Sequence, residues 1–395
     1  MSNNTQPEIR FPGFMEDWEQ RKLGELAESF EYGLNASAKK FDGSNKYIRI
    51  TDIDDISHKF NQSGVTSPDI DFASADNYKL KKGDILFART GASVGKTYMY
   101  RESDGLVYYA GFLIRARIKS KISSEFVFQT TFTDSYNRFI KITSQRSGQP
   151  GVNAEEYSNF KIMIPNYEEQ NAIGCFFKKI DDTITLHQRK LDLLKETKKG
   201  FLQKMFPKNG AKVPEIRFPG FTEDWEERRL QEVVDRYDNL RIPITASKRV
   251  AGNTPYYGAN GIQGYVEGYT HDGEFILVAE DGANDLKNYP VQYVDGKVWV
   301  NNHAHVIQAK ENLADNMFLM NAIRNINIEP FLVGGGRAKL NADVLMKLEV
   351  IIPLKSEQQK IGNFFKQLDD TITLHQRKLD LLKETKKGFL QKMFV

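Results

Sequence analysis

The chain has 395 residues, and 55 Lys and Arg against 52 Asp and Glu leave a formal net charge of only +3, too small by itself to indicate a nucleic-acid binder. Its 40% of hydrophobic and 27% of charged residues exclude a disordered chain and predict two or three folded domains. The single cysteine, Cys175, excludes an intramolecular disulfide, and no apolar run reaches the roughly 18 residues of a membrane span, so we expect a cytoplasmic protein.

The chain begins with a motif that occurs again in its second half. Residues 7–14 recur at 214–221, and an Asp-Trp pair follows each copy at the same spacing. The region after each Asp-Trp pair differs between the halves: Trp18 precedes Asn153 by 135 residues, whereas Trp225 precedes Asn341 by 116. The sequence is therefore an internal repeat: its two halves share the repeated segments and differ in the variable regions between them.

Each variable region contains a short strand between two turns. Residues 83–91 read Gly-Asp-Ile-Leu-Phe-Ala-Arg-Thr-Gly, and residues 272–282 have the same turn–strand–turn pattern. Short apolar segments and many turns surround both, which is typical of mixed α/β domains. We expect one fold in the two regions, with different surface residues.

A 26-residue segment closes each half, and its two copies are identical, at 181–206 and 369–394. Their apolar residues alternate spacings of three and four, the heptad pattern of a helix that packs against another helix. With the residues upstream, each helix is predicted to span roughly 40 residues, about 60 Å. The predicted seam comprises Ile184, His187, Leu191, Leu194 and Phe201 in the first copy and Ile372, His375, Leu379, Leu382 and Phe389 in the second.

Antiparallel pairing of these two helices within the chain is the simplest interpretation of the seam. Lys198 and Lys386 weaken this interpretation, because both lysines, like two of the histidines, fall on seam positions that apolar residues would otherwise occupy. We therefore expect part of the seam to face partner subunits.

These features resemble one known family, the specificity subunits of type I restriction–modification enzymes. The resemblance covers essentially the whole chain, and the doubled order of its motifs is more specific than any one of them. It rests on residues 10–18 with 217–225, the strand and turn at 83–91, the segment 256–262, the Ile-Pro…Glu-Gln helix entries and the duplicated Lys-Leu-Asp-Leu-Leu-Lys seam.

The resemblance implies an α/β (α+β) chain in which two similar target recognition domains are separated by two long antiparallel coiled-coil helices, a pseudo-twofold internal repeat. We expect four segments along the chain. They are an N-terminal arm with the first recognition domain (1–165), a central helix and linker (166–213), the second recognition domain (214–353) and a distal helix (354–395).

The resemblance also implies a function. Each recognition domain of such a subunit reads one half of a bipartite, asymmetric site in double-stranded DNA, and the helices set the spacer and dock two modification (methyltransferase) subunits. Two restriction subunits complete the complex. S-adenosylmethionine, ATP and Mg²⁺ are expected on these partners, whereas this chain is expected to bind no cofactor and to be non-catalytic.

Two glycine-containing regions of the sequence carry candidate DNA-binding residues. Residues 91–97, Gly-Ala-Ser-Val-Gly-Lys-Thr, have one residue fewer between the glycines than a phosphate-binding loop, so we predict a turn, either structural or facing the DNA backbone. The loops before Asn153 and Asn341 carry hydrogen-bond donors suited to phosphates or base edges, with a solvated loop as the alternative. The candidates in these segments are Arg89, Thr90, Ser93, Lys96, Gln145, Arg146, Gln149, Arg337 and Lys339.

Tyrosine and amide side chains between glycines add four candidates in the second half. They are Tyr256, Tyr257, Asn260 and Gln263. Asn and Gln pair bidentately with adenine, and core or turn structure is the alternative. His303 and His305 are predicted to lie on one face of a strand, where packing or polar contacts are favoured over a metal site.

Two rival functions remain from the sequence. The first is a coiled-coil scaffold whose two α/β domains bind proteins, and the second is a P-loop enzyme, which the shortened loop disfavours.

Overall fold

Two units make up the structure, a computed structural model that describes residues 5–208, 210–334 and 338–395. The first unit comprises the residues up to 189 together with 377–395, and the second comprises 190–376. Each unit therefore contains one variable region and parts of both long helices. No helix in the described ranges is both long and apolar enough to cross a membrane.

Between residue 5 and the first long helix, the described part of the first unit contains ten short strands and four short α-helices. The strands are β1 (Glu19–Lys22), β2 (Ala27–Tyr32), β3 (Ala38–Lys40), β4 (Lys46–Ile48), β5 (Thr66–Pro68), β6 (Asp84–Ala88), β7 (Thr97–Met99), β8 (Val107–Tyr109), β9 (Leu113–Ile118) and β10 (Lys161–Ile164). The helices are α1 (Leu23–Leu26), α2 (Ser124–Thr130), α3 (Asp134–Thr143) and α4 (Ala154–Ser158), followed by the long helix α5 (Tyr167–Lys204).

The main sheet of the first unit is antiparallel, with the strand order β2-β9-β6-β7. Strand β6 is buried along its whole length because Ile85 and Phe87 join one apolar cluster and Leu86 and Ala88 join another, on the opposite face. A smaller sheet, ordered β3-β5-β4-β8, contains the parallel pair β4 and β8. Strands β1 and β10 form a separate antiparallel ribbon.

The second unit repeats this arrangement. Its strands are β11 (Glu226–Arg229), β12 (Val234–Arg236), β13 (Ala251–Gly258), β14 (Gly261–Val266), β15 (His271–Asp272), β16 (Phe275–Ala279), β17 (Val291–Val294), β18 (Lys297–Val300), β19 (Ala304–Ala309) and β20 (Glu349–Ile352). Its helices are α6 (Leu230–Val233), α7 (Asn316–Arg324), α8 (Ala342–Lys347) and the long helix α9 (Lys355–Met393).

The two variable regions share the strand order of the main sheet and the parallel pair of the small sheet, whereas the edge strands of the small sheets differ. The order β12-β19-β16-β17 corresponds to β2-β9-β6-β7, strand for strand, and β13 pairs with β18 in parallel as β4 pairs with β8. The ribbon of β11 and β20 corresponds to that of β1 and β10. The predicted α/β (α+β) fold with two similar domains and two long helices is confirmed; the boundaries of the four predicted segments stay a prediction.

In each unit the opening motif is tied to the start of a long helix by a buried ion pair. Arg10 donates hydrogen bonds of 2.7 and 2.8 Å to the carboxylate of Glu169, and Arg217 donates two of 2.8 Å to Glu357. Both glutamate side chains are fully buried. Such bidentate pairs are strong and geometrically specific, so they fix the arm against the helix.

The tryptophan of each opening motif packs edge-on against two phenylalanines. One phenylalanine belongs to the variable region, and the other follows the end of a long helix, whose last residues therefore complete the core. The ring pairs are Trp18 with Phe126 at 5.7 Å and Phe394 at 6.4 Å in the first unit, and Trp225 with Phe318 at 5.7 Å and Phe206 at 6.3 Å in the second.

Within each unit the long helices pair antiparallel, and an ion pair sets their register. Lys386 of α9 lies 2.7 Å from Asp181 of α5 in the first unit, and Lys198 of α5 lies 2.5 Å from Asp369 of α9 in the second. Each lysine is therefore neutralised by the opposite helix, and the expectation that part of the seam faces partner subunits stays a prediction.

The predicted seam residues face inward to different degrees. Leu191 and Leu379 are fully buried, and the others are half-buried: Ile184, His187, Leu194, Phe201, Ile372, His375, Leu382 and Phe389. Their predicted part in docking subunits stays a prediction.

We predict that Lys198→Met destabilises the second unit. The change leaves Asp369, a third exposed, without its cation, so the free energy of unfolding should fall by about 1.5–3 kcal/mol, the contribution of a hydrogen bond between charged groups. Lys199→Met, at the exposed neighbouring position, is the matched control and should change stability by less than about 0.5 kcal/mol. Equal effects of the two substitutions in urea unfolding would contradict the role of the ion pair.

Candidate nucleic-acid interface

The loops that follow β6 and β16 occupy equivalent places in the two domains. The backbone N–H of Arg89 donates to the carbonyl of Phe112 at 3.0 Å, and that of Glu280 donates to the carbonyl of His303 at 2.9 Å. Arg89 therefore corresponds to Glu280, and Phe112 to His303. A cleft opens beside each of these loops, so the two clefts can be compared residue by residue.

The cleft of the first domain is aromatic and cationic. It has a volume of about 760 Å³, and its lining includes Tyr32, Tyr47, Arg49, Arg89, Gly111 and Phe112. The guanidinium of Arg89 lies over the ring of Tyr32, 4.9 Å from its centroid. Arg49 is held by Asp52 through two hydrogen bonds of 2.9 Å. The side chain of Phe112 is 62% exposed at the cleft.

The cleft of the second domain is more polar. Its volume is about 530 Å³, and its lining includes Arg249, Tyr256, Asn260, Gln263, Asn302 and His303. The guanidinium of Arg249 lies 4.0 Å from the centroid of the Tyr256 ring. Backbone groups of Ile244 hydrogen-bond to the phenol hydroxyl, which anchors the ring beneath the arginine.

A buried charge cluster supports the second cleft. His305 Nδ1 lies 2.8 Å from Asp238 Oδ2, and its Nε2 lies 2.8 Å from the carbonyl of Leu340. Burial alone would raise the pKa of Asp238, but the hydrogen bond and charge of His305 and a backbone N–H lower it below its ordinary value. Burial likewise opposes the lowered pKa of Glu280, which hydrogen bonds from Arg241 and Lys339 produce.

Several predicted residues of the first domain come together beside Arg89. Thr90 forms a bridge with Gly151, and the N–H of Gly91 donates to the carbonyl of Pro150 at 3.0 Å. These contacts place one loop, which carries the exposed Gln145 and Gln149, against the turn that carries the half-buried Ser93. The structure thus joins segments that are more than 50 residues apart in the sequence.

Two predicted cations of the first domain already have partners. Both hydrogen bonds from Arg146 Nη2, of 2.5 and 2.7 Å, go to the carboxylate of Glu156. Lys96 Nζ donates to the carbonyl of Ile53 at 3.1 Å and pairs with Asp55. The segment around Lys96 forms a 3₁₀ turn at Gly91–Ser93 and no phosphate cradle, because its lysine is tied to a neighbouring loop.

The predicted residues of the second domain divide between cleft and structure. Tyr256 and Gln263 line the cleft, whereas Tyr257 packs into the apolar cluster on the other side. Asn260 also lines it, but its amide braces two loops, donating to the carbonyl of Gly282 at 2.9 Å and accepting from the N–H of Asn284 at 3.0 Å. Lys339 pairs with Glu280 at 2.9 Å.

Arg337 lies outside the residues that the structure describes. His303 and His305 each contact a carboxylate, Asp281 at 2.5 Å and Asp238 at 2.8 Å, so the prediction of polar contacts is confirmed. Within the described ranges no group of three or more His, Cys, Asp and Glu side chains could hold a metal ion.

The sequence interpretation missed several cleft residues, among them Arg49, Phe112, Arg249 and Asn302. No motif in the sequence marks these four residues. Phe112 and Asn302 lie in the connections from a small-sheet strand to a main-sheet strand, and Arg49 and Arg249 lie next to small-sheet strands. Only the fold therefore brings them to the clefts.

Comparison with known proteins agrees with the duplication. The family model of the type I restriction modification DNA specificity domain matches residues 15–196 and again residues 222–384. A crystal structure of the S subunit of a type I restriction–modification system from M. genitalium aligns over 99% of both chains with a TM-score of 0.75. Its sequence is only 15% identical, so this likeness concerns the fold.

Two relatives are informative in sequence. A candidate type I restriction enzyme specificity subunit of Haemophilus influenzae is 47% identical over 154 residues, which span 39% of each chain. The specificity subunit of the type I restriction enzyme MjaVIII of Methanocaldococcus jannaschii is 20% identical over 408 residues, covering 95% of this chain and 91% of that protein.

We predict that the contribution of the buried Asp238 carboxylate to the free energy of unfolding depends on pH. A carboxylate with a lowered folded-state pKa stabilises the fold above its unfolded pKa, about 3.9, and this stabilisation is lost as pH falls through the folded value. Asp238→Asn should therefore lower the free energy of unfolding by about 1–3 kcal/mol at pH 6. The difference from wild type should shrink steadily below about pH 4. Asp272→Asn, at an exposed position of the same unit, is the control, and a difference independent of pH would argue against the charge of Asp238.

Proposed function

The chain belongs to the type I restriction–modification DNA specificity family, and from this we propose that each recognition domain reads one half of a bipartite, asymmetric site in double-stranded DNA. One observation carries the proposal. The main sheets of the two domains share one strand order, but the equivalent clefts of the domains present different side chains. Because base readout depends on the donors and acceptors offered, two differently lined clefts should read two different half-sites.

The proposal extends to the complex in which the chain works. Two modification subunits with S-adenosylmethionine and two restriction subunits with ATP and Mg²⁺ supply the chemistry in the cytoplasm, and this chain supplies specificity without catalysing a step. The small net charge of +3 supports the need for partners, because tight DNA binding requires many neutralised phosphates. We further propose that the long helices set the spacer between the half-sites.

The proposed docking surfaces for the modification subunits, one in each unit, consist of outward leucines of the duplicated helices. In the first unit Leu186 of α5 and Leu381 of α9 are 66% and 63% exposed, and in the second unit Leu193 of α5 and Leu374 of α9 are 67% and 51% exposed. Each unit therefore has one exposed leucine on each of its two helices, outside the buried seam positions. Large apolar side chains repeated on an open helix face are typical of a protein interface.

A scaffold that binds proteins through its two domains is the rival interpretation. It would need no difference between the clefts, and membership of a DNA specificity family speaks against it. DNA preference therefore separates the two functions.

Domain exchange tests the proposed function. Residues 27–159 are replaced by the matching region of another family member, which keeps the ribbon of β1 and β10, and the chain is expressed with its modification subunits. Genome-wide methylation sequencing should show a change in one half-site and an unchanged second half-site. The matched exchange of residues 234–347 should change the other half. A wild-type complex that methylates no split site, or an exchange that alters both halves, would contradict the proposal.

Charge substitution tests the docking surface. The double variant Leu193→Asp/Leu381→Asp places one carboxylate in the proposed docking surface of each unit and should weaken capture of the modification subunits by at least about tenfold, because a charge is costly to bury. Gln203→Asp/Gln391→Asp, at exposed equivalent positions nearer the helix ends, is the control with the same added charge. Unchanged capture by the leucine variant, with an unchanged thermal midpoint, would place docking elsewhere.

A further inference from the structure

Each recognition cleft contains one arginine that lies over a tyrosine ring. Arg89 lies 4.9 Å from the ring centroid of Tyr32, and Arg249 lies 4.0 Å from that of Tyr256. Both arginines are half-buried. They come from different elements, because Arg89 follows β6 whereas Arg249 precedes β13, so alignment of the two halves does not pair them.

The donors of both arginines are largely unused. Over the described residues neither guanidinium has a carboxylate partner; Arg89 makes one long hydrogen bond, of 3.4 Å, to the carbonyl of Gly111, and Arg249 makes one from Nε, of 3.2 Å, to the carbonyl of Ile244. Arg49 and Arg146, by contrast, are each held bidentately by a carboxylate. Each cleft therefore contains one guanidinium whose paired N–H donors, called the arginine fork below, have no carboxylate partner over the described residues.

Packing on an aromatic ring prepares this fork for a planar ligand. The ring restricts the rotamers of the arginine before binding, which lowers the entropy cost of each hydrogen bond that it later makes. A half-buried, fixed fork is better suited to a bidentate acceptor of defined geometry than to a phosphate reached by a mobile side chain. In duplex DNA that acceptor is guanine, whose O6 and N7 accept from one guanidinium in the major groove.

The rest of each lining agrees with a base edge rather than a phosphate. Phe112 exposes an apolar ring beside Arg89, which suits a base face or a thymine methyl group. Gln263 and Asn302 present exposed amides beside Arg249, which suit adenine. The apolar ring of Phe112, by contrast, offers no hydrogen bond to a phosphate.

We propose that Arg89 and Arg249 are specificity-determining residues, each reading one guanine, in different halves of the DNA site. The inference rests on the proposed function. It requires a G·C pair in each half-site, one depending on Arg89 and the other on Arg249.

Conservative substitution tests the inference in the complex with the modification subunits. Arg89→Lys and Arg249→Lys keep the charge and lose the fork, and each variant is expressed in a host whose methylated sites are then mapped by sequencing. Each should relax one G·C position of one half-site, by about 5- to 150-fold in preference over the other bases, and the two variants should affect different halves. Arg21→Lys and Arg228→Lys, at exposed arginines of the two ribbons that line neither cleft, are the matched controls and should leave the site unchanged.

Three results would overturn the inference, and each is distinct from failure of the proposed function. Unchanged methylated sites in both lysine variants, or half-sites without a G·C pair, would show that these arginines read no guanine, although the split site would remain. Uniform weakening for all DNA sequences, with a shallower salt dependence in Arg89→Ala and Arg249→Ala, would assign them to phosphates instead. Absence of any split site in the wild-type complex would instead reject the proposed function itself. An intact reading of the other half-site by each variant shows that the chain is folded.

Discussion

The pairing of two identical helices is the constraint on which the rest of the structure depends. Because both copies carry the same sequence, each must supply both members of any complementary contact. Antiparallel pairing achieves this, since the Asp at the first residue of one copy meets the Lys at the eighteenth residue of the other, once in each unit. Parallel pairing in register would instead oppose like charges.

That register has consequences for both cores. It delivers the phenylalanine that follows each helix to the tryptophan of an opening motif, so each unit is completed by the end of the helix that begins in the other. The buried carboxylates of Glu169 and Glu357 then fix the two opening motifs through arginine forks. Since an uncompensated buried charge is costly, motif and helix must be in place together, which explains why the two motifs repeat as a set.

The duplicated helices and opening motifs hold two variable regions that share a frame and differ in their clefts. The strand order of the main sheet, the parallel pair of each small sheet and the hydrogen bonds after β6 and β16 are the same in both domains. Yet Arg89 occupies in one domain the place that Glu280, neutralised by Arg241 and Lys339, occupies in the other. The backbone frame is thus common to the two domains, whereas the side chains of their clefts differ.

The sequence by itself determined the duplication, the two long helices and the likeness of the two domains, because repeats and heptad spacing are local properties that survive without coordinates. The sequence also identified Arg89 and Tyr256 as candidate residues. It could not determine which polar side chains already have partners within the chain. Arg146 pairs with Glu156, Lys96 with Asp55 and Lys198 with Asp369, and Asn260 hydrogen-bonds to neighbouring backbone. The sequence also could not identify Arg249 as a candidate. This arginine is a candidate because it lies over the ring of Tyr256 and has no carboxylate partner over the described residues. Whether a side-chain donor already has an acceptor depends on residues that are distant in sequence, and only the tertiary structure determines which residues those are.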